Sequence, residues 1–187
     1  LELQIYIKVT LFLLSLILLS SCNKKEESIN QQNSTSGEFS WRETISVKDI
    51  PNTPIKGKID GKDFNPSYIV FEQWRGSNDN VFVFSDKSPQ NKCGFIENDN
   101  GFNLTKLGAE FKEGEFVKDS FIKNLEGYSA DFHITENEDM KKITAGWNVA
   151  LIITEINDEV VKGKIAMCFK DDKKSWIAGS FEAPVCN

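Results

Sequence analysis

Trp147-Asn-Val-Ala-Leu-Ile-Ile-Thr-Glu-Ile156, Glu159-Val-Val-Lys-Gly-Lys-Ile-Ala-Met-Cys-Phe169 and Trp176-Ile-Ala-Gly-Ser-Phe-Glu-Ala183 follow one another with only short polar breaks. Each run is rich in β-branched and aromatic residues, and neither break is long enough for a crossover helix. Asn157-Asp158 and Asp171-Asp172-Lys173-Lys174 are turn chemistry, so the three runs read as an antiparallel meander. If the second turn centres on Asp172-Lys173, Cys168 lies opposite Ile177 and Phe169 faces Trp176 as a cross-strand aromatic pair.

The pattern extends upstream. Tyr128, Ala130, Phe132 and Ile134 alternate with Ser129, Asp131, His133 and Thr135, which reads as a strand with one face inward. Val81-Phe-Val-Phe84 is apolar on both faces and belongs in the middle of a sheet. Asp60-Gly61 divides the run Ile55–Phe64 into a hairpin, and Tyr68–Trp74 is a further strand. Phe102–Leu104, Glu115–Val117 and Ser120–Ile122 read as shorter strands. A short helix after Thr135 is suggested by the capping-box spacing of Thr135 and Glu138. Nine or ten strands without βαβ alternation make residues 51–187 an all-β domain. The reading favours a two-sheet antiparallel β-sandwich, with a closed lipocalin-like β-barrel as the alternative.

The first fifty residues are of another kind. After Lys8 comes the apolar run Val9–Leu19, too short to span a bilayer and suited to a signal peptide. Leu19-Ser20-Ser21-Cys22 follows at once and resembles the bacterial lipobox, in which the Cys carries a diacylglyceryl group. From 23 to 38 Ile29 is the single apolar residue of 16, the composition of a tether. Phe39, Trp41, Ile45, Val47 and Ile50 then bring apolar residues back, as an edge strand or a transition segment. The expected organisation is a signal peptide at 1–21, a lipidated Cys and polar tether at 22–50, and the globular domain at 51–187.

The chain carries 22 Lys and Arg against 28 Asp and Glu, a net charge of −6, which speaks against nucleic acid as a partner. One His and four scattered Cys make a protein-only zinc site implausible. With Cys22 taken by lipid, Cys93, Cys168 and Cys186 remain. A hairpin between β-strands would hold Cys168 and Cys186 about 30 Å apart, which leaves Cys93 to pair with either one; Cys93–Cys186 is preferred because it would staple a fraying C-terminus, with Cys168 a buried thiol.

No catalytic constellation emerges. Ser129, Asp131 and His133 share one strand face, but such side chains stand in parallel about 6.5–7 Å apart and do not form a relay. That face is read as solvent-facing. Asp79, Glu97, Asp99, Asp158, Asp171 and Asp172 fall in turns, and Glu136, Glu138 and Asp139 form the densest acidic group. Ser77–Asn80 and Glu97–Gly101 carry oxygen ligands, without the spacing of a calcium loop. Trp74, Trp147 and Trp176 are candidates for stacking on sugars, against ordinary core packing.

Gly57-Lys-Ile-Asp-Gly-Lys-Asp-Phe64, Gly163-Lys-Ile165 and Ala178-Gly-Ser-Phe-Glu-Ala183 before Cys186 resemble small β-rich lipoproteins of Bacteroidota. Lys25-Glu26-Glu27 resembles their signal for export to the outer cell surface. The resemblance implies an outer-membrane location, surface-exposed rather than periplasm-facing, and a β fold. It transfers no activity, cofactor or site residue. The function expected is a non-enzymatic binding or interaction module, joined to the membrane through lipid on Cys22. Its partner would be a protein, glycan or small molecule. A small-ligand or glycan carrier is the alternative, and an envelope hydrolase is the least favoured reading.

Overall fold

The computed structural model describes residues 38–74 and 76–186. Cys22, the lipobox and the tether up to residue 37 lie outside them. The fold is all-β, with no α-helix among the described residues. A 3₁₀ turn at Val47–Asp49 precedes β1 (Lys56–Ile59), β2 (Lys62–Phe64), β3 (Tyr68–Trp74), β4 (Asp79–Ser85), β5 (Gly101–Lys106) and β6 (Gly114–Lys118). Then come β7 (Tyr128–Glu136), β8 (Asp139–Ile143), β9 (Trp147–Ile156), β10 (Val160–Phe169) and β11 (Trp176–Cys186).

One continuous curled sheet runs β6-β9-β10-β11-β3-β4-β5-β7-β8, with the β1–β2 hairpin attached to β11. It combines features of both expected architectures. The sheet bends until its two halves face each other, yet β6 and β8 stay unpaired as open edges. All neighbours are antiparallel except one pair. The end of β11 runs parallel to β3, with Val185 beside Phe71 and Cys186 beside Glu72. β11 is 11 residues long, so its start serves the β9-β10 half and its end the β3-β4 half.

The alternation read from the sequence sets what lies inside. Phe82 and Phe84 of β4, Phe102 and Leu104 of β5, and Phe132 of β7 point at Leu151, Ile165, Met167, Phe169 and Ile177 of the opposite half. Phe169 stacks on Phe102 at 5.7 Å and meets Phe132 edge-on at 5.1 Å. Phe181 meets Phe82 edge-on at 5.2 Å. Such pairs add about 0.5–1.5 kcal/mol each beyond their burial.

Three sequence expectations are corrected. The β10–β11 turn is longer than a centre at Asp172-Lys173 requires, and Cys168 pairs with Trp176, not Ile177. Asp171 causes this, because its carboxylate accepts the backbone N–H of Ser175 at 2.7 Å and its hydroxyl at 2.9 Å. A one-residue shift moves a side chain to the other face, so Phe169 is in the core while Trp176 packs outside against Phe39 at 5.2 Å. The helix expected after Thr135 is a two-residue hairpin at Asn137-Glu138, both at positive φ, leading into β8. Ser120–Ile122 is no strand; Ser120 makes one bridge to Thr44, and the Ile122 side chain is exposed.

The segment before residue 51 packs on the domain. Ala150, Ala166 and Ala178 lie side by side on the outer face of β9, β10 and β11, with Cys168 in the same patch. These small side chains leave a shallow seat, and Phe39, Ile45 and Ile50 are buried in it. Asn148 clamps the strap by donating to the carbonyls of Arg42 and Glu43 at 3.2 and 3.0 Å. Trp41 Nε1 donates to the carbonyl of Phe169 at 2.6 Å. The folded part therefore starts by residue 38, and among the described residues the buried clusters draw on residues 39–186. Pro54 and Ile55 then cross β11 so closely that only Gly fits at 179, where a Cβ would come within 2.4 Å of the Ile55 backbone.

Burial under the strap pushes the Cys168 thiol up to about 12. In the folded protein lacking residues 1–22, Cys168 should resist iodoacetamide at pH 8. The double variant Phe39→Ala and Ile45→Ala should lose about 3 kcal/mol or more in urea unfolding and label at Cys168 before global unfolding. Equal labelling of both proteins would refute the strap.

Candidate functional site

Three segments meet along an open groove of about 740 Å³: residues 38–41 of the strap, the β1–β2 hairpin, and the turn between β10 and β11. The turn is fixed by Asp171 and Ser175, and the Ser175 hydroxyl also accepts the N–H of Asp60 at 3.0 Å, which locks the two turns together. The result sets Lys173 and Lys174 across from Lys56 and Lys58. Lys56 pairs with Glu38 at 2.6 Å and Lys58 with Asp63 at 3.6 Å. Hydrogen bonding from Lys56 holds the Glu38 carboxyl below its usual range. Lys173 and Lys174 have no carboxylate within 4.0 Å among the described residues. The Lys174 ammonium stands 4.8 Å from the Trp41 ring centre. On a chain of net charge −6, this is a local surplus of positive charge in a concave setting.

The groove floor does not offer rings to a sugar. Phe39 and Trp176 are 4% and 6% exposed, so their faces are spent on each other and on the alanine seat. Trp147 lies under the Lys118 ammonium, 4.6 Å from the ring centre. Trp74 is 46% exposed, but it closes β3 against Asp79 at a turn and does not line the groove. The three Trp singled out in the sequence share no stacking surface. What the groove presents is ammonium groups.

His133 is not solvent-facing. It is buried on the outer face of β7, and its Nε2–H donates to Asp99 Oδ1 at 2.9 Å. Asp99 arrives from the loop between β4 and β5, which folds back over that face. The loop is tied by Tyr68 to the Lys92 carbonyl, by Asn100 to Asp86, and by Thr135 to the Asp99 carbonyl at 2.7 Å. Gly101 makes room, since a Cβ there would meet His133 Cε1 at 2.9 Å. Burial raises the Asp99 pKa, but hydrogen bonds from His133 and Ser85 outweigh it and the net shift is downward. Ser129 and Asp131 stand apart from this pair. Asp131 accepts from Asn103 at 3.0 Å and pairs with Lys142 at 2.8 Å.

The remaining candidates do structural work. Asp79 accepts the N–H of Gly108 at 2.8 Å, and Glu136 pairs with Asp139 across the β7–β8 turn beside Glu138. Glu97, Asp158 and Asp172 are exposed on loops. Ser77 and Asn78 lie in the β3–β4 turn, while Asp79 and Asn80 open β4, with Asn80 donating to the Ala109 carbonyl at 3.0 Å. The oxygen of Asp99 that a calcium reading needs is bound to His133. No group of three His, Cys, Asp or Glu suited to a metal occurs among the described residues. Cys93 and Cys186 are joined in a disulfide with Cα atoms 5.6 Å apart, and Cys168 is free and buried.

Sequence reasoning passed over two features. The groove lysines come from two segments far apart in sequence, β1 and the β10–β11 turn, and Lys173-Lys174 was legible only as a turn. Lys118 is buried, donating to the carbonyls of Ser120, Phe121 and Trp147, and burial lowers its pKa. It ties the β6–β7 connection to the start of β9.

Removing Asp99 leaves two buried donors without an acceptor. Asp99→Ala should cost about 1–3 kcal/mol in urea unfolding at pH 7. The folded pKa lies below the ordinary 3.8, so this stabilisation is complete above 3.8 and is lost as pH falls through the lower folded value. The gap between wild type and variant should persist to about pH 5 and close below 3.8. A gap that widens in acid would contradict the assignment. No family model, curated protein or solved structure matches the chain.

Proposed function

We propose that this is a non-enzymatic binding module of the bacterial cell envelope, and that the lysine groove is its ligand surface. One observation carries the reading: Lys56, Lys58, Lys173 and Lys174 converge on a concave strip of an acidic protein, with two of the four unpaired among the described residues. A ligand bearing negative charge suits that strip. Nothing in the groove resembles a nucleophile held by a base, and the buried His133–Asp99 pair is engaged in holding a loop. The lipobox at Leu19-Ser20-Ser21-Cys22 supports anchoring through lipid, and Lys25-Glu26-Glu27 supports an outward-facing position in the outer membrane.

The test is a thermal-shift series on residues 23–187, with inorganic polyphosphate, acidic oligosaccharides and acidic peptides beside neutral counterparts. A ligand at 100 times its dissociation constant stabilises by about 2.7 kcal/mol, a rise of roughly 5–10 °C for a domain of this size. The double variant Lys173→Glu and Lys174→Glu should abolish the shift and leave the unliganded melting temperature within about 2 °C. Stabilisation that ignores charge, or survives in the variant, would count against the groove. Turnover of an envelope substrate by the purified domain would overturn the non-enzymatic reading.

A further inference from the structure

We infer that the occupant of the groove is the anionic headgroup layer of the membrane that carries the protein, so that the domain docks face-down on a lipid surface. The inference rests on the proposed function and names the ligand of the same groove. Glu38, the first described residue, is itself a groove residue. The described chain therefore enters the domain at the groove rim. Fifteen residues, 23–37, lie between Cys22 and Glu38, which makes sixteen steps of the chain. At no more than 3.6 Å per residue, they keep the groove within about 58 Å of the anchoring Cys. Tethering at that range holds the lysines at high effective concentration over the bilayer.

Charge complementarity selects the surface. The chain as a whole, at −6, is repelled by anionic lipid, so contact is favourable only through a locally positive face. Lys173 and Lys174 project from a turn tip and are exposed. Lys58 is exposed beside them, and its partner Asp63 is 3.6 Å away, a loose pair that a phosphate could displace. Trp41 is half-buried at the same rim, an amphipathic ring of the kind that settles at headgroup level. The burial of Phe39 and Trp176 removes the stacking platform a neutral glycan needs, whereas headgroup phosphates ask only for ammonium groups.

The experiment is vesicle co-sedimentation of residues 23–187, which contain every buried residue among those described and lack the lipid. Vesicles of phosphatidylcholine with phosphatidylglycerol are compared with vesicles of phosphatidylcholine alone. Binding to the anionic vesicles should weaken steeply between 50 and 300 mM salt, as the Debye length shrinks from about 14 to about 6 Å. Each groove lysine should contribute roughly 5-fold, so Lys173→Glu with Lys174→Glu should weaken binding by about 25-fold or more. Lys173→Glu alone should show a smaller loss at unchanged melting temperature, which separates charge from folding. Equal binding to neutral vesicles, or anionic binding indifferent to these variants, would overturn the inference. Absence of vesicle binding together with charge-dependent stabilisation by an acidic oligosaccharide or peptide would overturn it too, while leaving the groove's binding role intact.

Discussion

The contact between Phe169 and the rings of Phe102 and Phe132 joins the two halves of a single sheet across the core. Open edges and one short parallel junction are all the backbone supplies to hold that curl. The rest is side chains. Phe64 from the β1–β2 hairpin closes one side edge-on to Phe102, and Phe111 and Phe116 reach Tyr128 on another. Without this interleaving of rings, β11 could not serve both halves, and the turns that build the groove would have no fixed relation.

The outer face obeys a different rule. Where the core wants large rings, the seat for the strap wants small residues, and Ala150, Ala166, Ala178 and Cys168 provide them in register. The seat makes residues 39–50 part of the domain and brings the chain into the groove at residue 38. Fold and site are thus linked through a patch of missing side-chain volume.

Strands were legible from β-branched and aromatic runs bounded by turn residues; β7 also alternates strictly in sequence, and β4, apolar on both faces, reads as central. Register at the β10–β11 turn was not. It depends on the Asp171 carboxylate capturing Ser175, and nothing in Asp171–Lys174 says which acid will do so. His133 was misplaced because its cover, Asp99, comes from 34 residues away. The apolar return at Phe39, Trp41, Ile45, Val47 and Ile50 was legible as an edge strand or transition segment, but its seat was not, because Phe39, Ile45 and Ile50 fill a patch formed by other strands. The groove was illegible for the same reason, since its charges meet only after the turns are locked.

The disulfide leaves its mark on the order of folding events. In the unfolded chain Cys186 is 18 residues from Cys168 but 93 from Cys93. Loop closure alone favours the shorter, wrong partner by roughly tenfold. Once β10 and β11 pair, Cys168 faces Trp176 on the strap side, and Cys186 sits ten residues on, about 33 Å along the strand. The hairpin thus acts as a proofreader of thiol chemistry: once it forms, Cys168–Cys186 is out of reach, and burial of Cys168 beneath the strap then leaves Cys186 as the partner of Cys93. The protein's need for a thiol-exchange catalyst is set by whether that hairpin outruns the oxidant.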